Sequence, residues 1–176
     1  MKELRAYSIP FVGLKQGVHY FEYEIGKDFL EHFPYSPIHD ADLQVKLAFN
    51  KKEDFLVLNF HLEGTVNVEC DRCTEPFDLP IKGENQMIVK FDDSANRGEE
   101  VDIIFISRAE SEFNVAQLIY EFMNLALPMQ KTHPDVGGKS TCNKKIINIL
   151  RGHDGSKNDD DDIDPRWDAL NKLKTN

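Results

Sequence analysis

Leu43-Gln44-Val45-Lys46-Leu47-Ala48-Phe49, then the charged Lys51-Lys52-Glu53-Asp54, then Phe55-Leu56-Val57-Leu58-Asn59-Phe60-His61-Leu62 decide the fold. Apolar residues stand at every second position on both sides of the charged break, the period of a half-buried strand. The pair therefore reads as an antiparallel hairpin. Downstream, Gly64 interrupts the run before Val66, Val68 and Cys70 take it up again, which suggests a bulge or turn at the glycine.

Alternation continues outward in both directions. His19, Phe21, Tyr23 and Ile25 form an earlier strand. Phe77, Leu79 and Ile81 form a return strand, with Met87, Val89 and Phe91 after it and Val101 to Ile106 beyond a polar loop. Pro34 to Asp40, with two prolines, reads as a connecting loop. One segment changes period: Val115, Leu118, Ile119, Phe122, Leu125 and Ala126 follow helical spacing. Asn114 stands where a cap belongs, Gln117 three residues on as in a capping box, and Pro128 at the end. Its apolar stripe is read as the face that packs on the sheet. The expected fold is α+β: a mainly antiparallel β-sheet, free to close like a barrel, with one long packed helix and a tethered C-terminal helix.

Composition agrees with one folded domain plus a tail. The chain has 176 residues, 40% of them hydrophobic and 10% aromatic, enough to bury one core and too apolar for general disorder. Residues 1–150 are assigned to that domain. Arg151 to Ile163, rich in Gly, Ser, Asn and Asp, reads as an acidic flexible linker. At 164–174 a short amphipathic helix follows, with Asp164 as N-cap, Pro165 at the first helical position, and Lys172 and Lys174 at the negative end of the dipole. Trp167, Leu170 and Lys174 fall at i, i+3 and i+7 with Leu173 beside that stripe, Trp167 is the anchor, and Arg166, Lys172 and Lys174 form a basic rim. The stripe either folds back on its own domain or anchors the segment on a partner.

Charge and motifs narrow the function. A net charge of −10 opposes nucleic-acid binding by bulk electrostatics, so a protein partner or a small local basic face is expected. The first nine residues carry Lys2, Glu3 and Arg5 where a signal peptide would be apolar, and no run reaches membrane-spanning length. A cytoplasmic protein is expected. There is no GxxxxGK, GxSxG or HExxH segment and nothing nominates a nucleophile, so an enzyme is not expected.

Cys70-x-x-Cys73 is the most specific local feature, because a two-residue spacer lets one tight turn aim both sulfurs at one tetrahedral centre. His133 and Cys142, flanking Gly137-Gly138 after the helix, are the candidates to complete a Cys3His site for one structural zinc ion. Reduced thiols that merely pack are the competing reading. Redox catalysis is disfavoured, since a redox pair ordinarily sits at a helix N-terminus and this one lies between strands.

Three segments together resemble the YceD-like family: VECDRCTEPFDLPI at Val68 to Ile81, LALPMQKTHPD at Leu125 to Asp135, and DPRWDALNKLK at Asp164 to Lys174. Some relatives carry a denser cysteine cluster after the second segment, where this sequence has His133, Val136, Ser140 and Cys142. The resemblance implies a small bacterial protein associated with accumulation of 23S ribosomal RNA. It implies no catalytic reaction. The expected function is a non-enzymatic accessory factor in ribosome biogenesis, its partner a large-subunit rRNA precursor or a ribosomal or assembly protein, with no small-molecule substrate. The alternative is a zinc-stabilised protein-binding adaptor without a direct RNA role.

Overall fold

A computed structural model describes residues 3–92, 103–136 and 139–153. A 3₁₀ turn at Glu3–Tyr7 leads into β1 (Ser8–Ile9), and a second, Phe11–Gly13, precedes β2 (Gly17–Ile25). The one-turn helix α1 (Lys27–Leu30) is followed by three long strands, β3 (Ile38–Lys51), β4 (Phe55–Glu69) and β5 (Pro76–Phe91). Then come β6 (Ile103–Ile106), β7 (Phe113–Asn114) and α2 (Ala116–Leu125). The short strands β8 (Asp135–Val136) and β9 (Lys139–Ser140) lead to α3 (Lys144–His153).

The alternating runs assemble into one five-stranded sheet in the order β2-β3-β4-β5-β6. Its ladders are antiparallel except the last, where β6 runs parallel to β5. Leu47 sits opposite Phe60 and Leu58 opposite Met87, the register the hydrophobic pattern demands if every apolar side chain is to share one face. The sheet is mainly antiparallel, but it is not a barrel. Among the described residues no ladder joins β2 to β6, and the reason is cover. The apolar face that a barrel would fold inward is closed instead by α2 and the N-terminal turns. Ile119 and Met123 of α2 are fully covered, Phe60 meets Phe122 edge-on at 5.0 Å, and Phe11 packs on Phe91 at 5.6 Å. Each such side chain contributes roughly 1.5–3 kcal/mol relative to exposure.

Other boundaries differ from expectation for local reasons. β3 begins at Ile38, inside the stretch read as a loop, because Ser36 Oγ accepts the Ile38 N–H (3.1 Å) and a register shift between Ile38 and Asp40 absorbs the irregularity. At the start of α2, Asn114 Oδ1 accepts the Ala116 N–H (2.9 Å), whereas Gln117 reaches forward to Glu121 and closes no capping box. The Asn114 amide instead donates to Leu4 O and Ser8 Oγ, fastening the N-terminal turn beside the helix. Helix α2 ends at Leu125, before Pro128. Helix α3 runs to His153, three residues into the stretch read as linker. The rest of that linker, from residue 154, and the segment 164–174 lie outside the described residues.

Gly64 is neither a turn nor a bulge. It pairs with Leu43 on one side and Ile81 on the other, in unbroken register, at φ +152°. A Cβ there would stand 2.2 Å from the Asp42 carbonyl oxygen and 2.9 Å from Leu43 Cα. Backbone, not a yielding side chain, blocks it. Gly64→Ala is therefore expected to destabilise the protein by more than about 2 kcal/mol, read as a shift in the denaturant midpoint; a loss under half that size would show that β3 can move away.

Tyr23, stacked on Tyr7 at 5.3 Å, has its phenol pushed up to about 12 by burial and then by the neighbouring Tyr7. Its unfolded value is about 10. The raised value favours the neutral phenol in the folded state, so this contribution is complete below pH ~10 and is lost as pH rises through about 12. Stability measured against alkaline pH should fall over that window, and less steeply in Tyr23→Phe.

Candidate metal centre

The turn Cys70 to Cys73 is the β4–β5 hairpin connection. The Cys70 N–H donates to Glu75 O (3.0 Å) and the Thr74 N–H to Cys70 O (2.8 Å), which folds the four residues tightly enough for both sulfurs to point the same way. Thr74 takes φ +58°, a conformation that β-branched residues adopt at a cost of about 1–3 kcal/mol. Surrounding contacts hold the loop closed.

The second side comes from the loop after α2. Its Lys131 is locked to the hairpin reciprocally: the Asp71 N–H donates to Lys131 O (2.7 Å) and the Lys131 N–H to Asp71 Oδ2 (2.6 Å), while Lys131 Nζ lies 3.2 Å from Asp71 Oδ1. The Lys131 backbone N–H first, and then its ammonium, hold the Asp71 carboxyl below the usual range. Two residues on, the His133 ring leans on Phe77, with ring centroids 4.6 Å apart, and presents Nδ1 to the sulfurs.

The third side is the chain entering α3. Thr141 Oγ1 donates to Pro134 O (2.9 Å), and Asn143 joins the hairpin through its amide, which donates to Glu75 Oε1 (2.5 Å). Asn143 Oδ1 also accepts the Lys145 N–H (2.9 Å) at the start of α3. Cys142 lies just before this junction and is buried. Gly137 and Gly138 lie outside the described residues.

Four ligand atoms converge. Cys70 Sγ is 3.8 Å from Cys142 Sγ, His133 Nδ1 is 3.5 Å from Cys73 Sγ and 3.8 Å from Cys142 Sγ, and all four atoms lie within 4.8 Å of one another. Bonds of ~2.3 Å to sulfur and ~2.0 Å to nitrogen in a tetrahedron put neighbouring donors roughly 3.5–3.8 Å apart. The spacing therefore fits a single ion. The three cysteines form no disulfide and are no more than 4% exposed.

Electrostatics favour a cation there. Burial raises the Cys70 thiol, but the N–H groups of Arg72, His133 and Cys73 and the His133 ring outweigh it and bring the value to about 6. Burial raises Cys73, as do the adjoining Cys70 and Cys142 thiols. Cys73, raised beside the lowered Cys70, would ionise as well only with a cation near the sulfurs. The cluster can hold a metal ion, and soft sulfur with imidazole in a tetrahedral set is the donor chemistry that suits zinc.

The structure thus brings together all four residues singled out for metal: Cys70, Cys73, His133 and Cys142. The second group, Arg166, Trp167, Leu170, Lys172, Leu173 and Lys174, lies outside the described residues. Sequence reasoning missed Asp71, Lys131, Glu75 and Asn143, whose partners are backbone groups or residues about 60 or more positions away. It also missed α3, whose apolar pattern Ile146, Ile147, Ile149 and Leu150 was the available signal.

Among known proteins, the chain matches the family model described as large ribosomal RNA subunit accumulation protein YceD, over residues 58–174. No curated protein and no solved structure matches it. The matched stretch contains all four candidate ligands. Protein purified without chelator is expected to carry about one equivalent of zinc by elemental analysis, and Cys73→Ser or Cys142→Ser to weaken retention by at least about tenfold. Less than half an equivalent in the parent chain would favour thiols that only pack.

Proposed function

The chain belongs to the YceD family of large ribosomal RNA subunit accumulation proteins, and from that premise we propose that it is a non-enzymatic accessory factor in ribosome biogenesis. It supports synthesis, processing or accumulation of 23S ribosomal RNA in the cytoplasm. The family name carries the large-subunit role. One observation of geometry carries the non-enzymatic part. Four protein donors lie close enough to fill a tetrahedral shell by themselves at the Cys70, Cys73, His133 and Cys142 cluster. A catalytic zinc keeps a position open for water or substrate; a structural one is closed by four protein ligands.

In this reading the zinc ion is a staple. It fastens the β4–β5 hairpin, the loop after α2 and the start of α3 into one rigid corner, and supplies no chemistry to a substrate. Lys144 and Lys145 are exposed at that corner, on a segment from 131 to 153 whose single acidic residue is Asp135. That stretch is a basic patch on a chain of net charge −10, and it supports contact with a large-subunit rRNA precursor or with an acidic face of an assembly protein.

The acidity of the rest of the chain favours the second reading, a zinc-stabilised adaptor that binds protein and never meets RNA. Salt separates the two. Phosphate contacts release counterions, so RNA retention should weaken steeply between low and moderate salt, and an adaptor's capture of its partner need not. The decisive experiment is genetic. Deletion is expected to lower mature 23S relative to 16S rRNA, with restoration by the parent gene and poor restoration by a Cys70→Ser, Cys73→Ser form. Unchanged rRNA ratios and a normal subunit profile, in the cold as well, would sink the assignment.

A further inference from the structure

The face of the sheet turned away from the core is sorted by row. Register places Val18, Asn50, Val57 and Ile88 in one row across β2 to β5, Tyr20, Ala48, Asn59 and Gln86 in the next, and Phe55 beyond the first. These apolar side chains take no part in the core cluster: Tyr20 is 80% exposed, Val18 48% and Phe55 37%. Asn59 and Gln86 satisfy one another, the Gln86 amide donating to Asn59 Oδ1 (2.6 Å). The two rows hold no charged residue, and Lys90, opposite Phe55, stands at their border. An exposed apolar patch of this kind, rimmed by polar groups, is the mark of an interaction site.

Toward the Cys70 turn the same face becomes acidic. Glu22 and Glu84 flank Lys46 and His61 in the third row, Glu24 and Glu63 share the fourth with Lys82, and Asp42, Asp40 and Asp78 follow. Seven carboxylates thus face two ammonium groups. From Val57 to Asn67, along β4, the whole surface runs about 33 Å at ~3.3 Å per residue. Neighbours do not neutralise the acids. His61 lies 3.2 Å from Glu84 and 3.5 Å from Glu63, Asp78 accepts from the Asn67 amide (2.7 Å), and among the described residues no lysine or arginine forms an ion pair with any of the seven.

Two grooves follow this division. One of about 520 Å³ lies at the boundary, with Tyr20 and Ala48 on its apolar side and Lys46, His61 and Glu84 on the other. Another, of about 570 Å³, is lined by Asp40, Asp42, Asn67 and Asp78.

Charge limits what can cover such a face. A nucleic-acid strand would bring its phosphates against seven carboxylates, which repel them. A second copy of the chain fits no better: with the two faces aligned, acids meet acids, and with them reversed, acids meet the apolar rows. A polypeptide with cations along most of its length and an apolar end satisfies both halves at once.

We propose that this open face is a docking surface for a cationic segment of another protein, its apolar end on Val18, Tyr20, Val57 and Ile88 and its lysines and arginines over Glu22, Glu24, Asp42 and the carboxylates beside them. The surface lies on the opposite side of the sheet from α2. It goes beyond the biogenesis reading and does not rest on it. Orientation is part of the proposal, because the apolar rows stand at one end only and fix which end of the segment lies beside the β3–β4 turn.

The probe is a synthetic peptide with a leucine-rich end and a lysine- and arginine-rich remainder, titrated into the full-length, metal-loaded protein. Two controls accompany it, one with the same residues interspersed and one with glutamate in place of every cation. The methyl resonances of Val18, Val57 and Ile88 and the side-chain amides of Asn59 and Gln86 are expected to shift, while the methyls of Val45 and Leu58, on the covered face, stay in place. Tyr20→Ser should weaken the peptide by at least about tenfold, as loss of an aromatic anchor does. The pair Glu24→Gln, Asp42→Asn should weaken it by at least about threefold and flatten its salt dependence. Either variant decides the matter if the other folds poorly. Shifts centred on the Cys70 turn or on α3 would overturn the proposal, and so would equal affinity for the interspersed peptide, which answers to charge alone. Tighter binding of polyuridylate at the same resonances would overturn it in favour of nucleic acid. Shifts that grow with protein concentration alone would overturn it in favour of a contact between copies.

Discussion

The structure depends on one constraint: three neighbouring strands of 14, 15 and 16 residues carry most of their large apolar side chains on one face, with Phe55, Val57 and Ile88 on the other. Leu43, Val45, Leu47 and Phe49 from β3 and Leu56, Leu58, Phe60 and Leu62 from β4 leave almost no surface in contact with water. A face that long cannot be left wet, since each side chain would forfeit a kcal/mol or more. Helix α2, the N-terminal turns and α1 serve as its cover. Their own fastenings are polar and specific: Asn114 ties the N-terminal turn to the helix start, and the Lys51 ammonium donates to Phe11 O and Leu14 O, each at 2.8 Å, pinning the second turn to the hairpin.

At one end of this face the sheet runs out of cover, and there the sulfur cluster takes over. Hydrophobic burial holds β4 as far as Val68, and beyond it the chain must turn, cross and return from residues 60 to 72 positions away. A cross-link between Cys70 and Cys142 restricts an unfolded loop of 72 residues, worth about 4 kcal/mol if the link were covalent. A metal ion on the same atoms acts in the same direction. The reciprocal pairing of Asp71 with Lys131 holds that corner in shape before any ion arrives, which lowers the ordering cost of binding.

The legible parts of the sequence were those governed by periodicity. Alternation gave away β2 to β5 and their shared face, because a one-residue slip would turn every apolar side chain to water. Helical spacing did the same for α2. Cys70 and Cys73 were legible because their spacing is itself the ligand geometry, and Cys142 and His133 because few other candidates existed. Contacts made by single polar atoms to distant backbone left no pattern: Asp71 on Lys131, Lys51 on Phe11 and Leu14, Asn114 on Leu4. Barrel closure was undecidable for a different reason. Strands that alternate in this way bury one face equally well by curling on themselves or by accepting a helix, and the outcome turns on whether the last strand can reach the first. Here β6 has four residues and lies parallel to β5, and among the described residues it ends the sheet.

Gly64 shows how a pattern can point to the right residue for the wrong reason. A glycine within an alternating run reads as a break in the strand. Its role is to keep the strand unbroken where the β3 backbone at Asp42 and Leu43 passes too close for any side chain. The same logic, that a position is defined by what its neighbours leave room for, connects the sheet to the metal corner. On the covered face the side chains along the strands are committed to the core, so a junction that uses that face falls at the strand ends. The hairpin connection at Cys70 to Cys73 is thus where a sheet of this kind can present chemistry without losing cover. Cys142 lies two residues before α3, so an ion held by the four donors would tie the start of that helix to the hairpin.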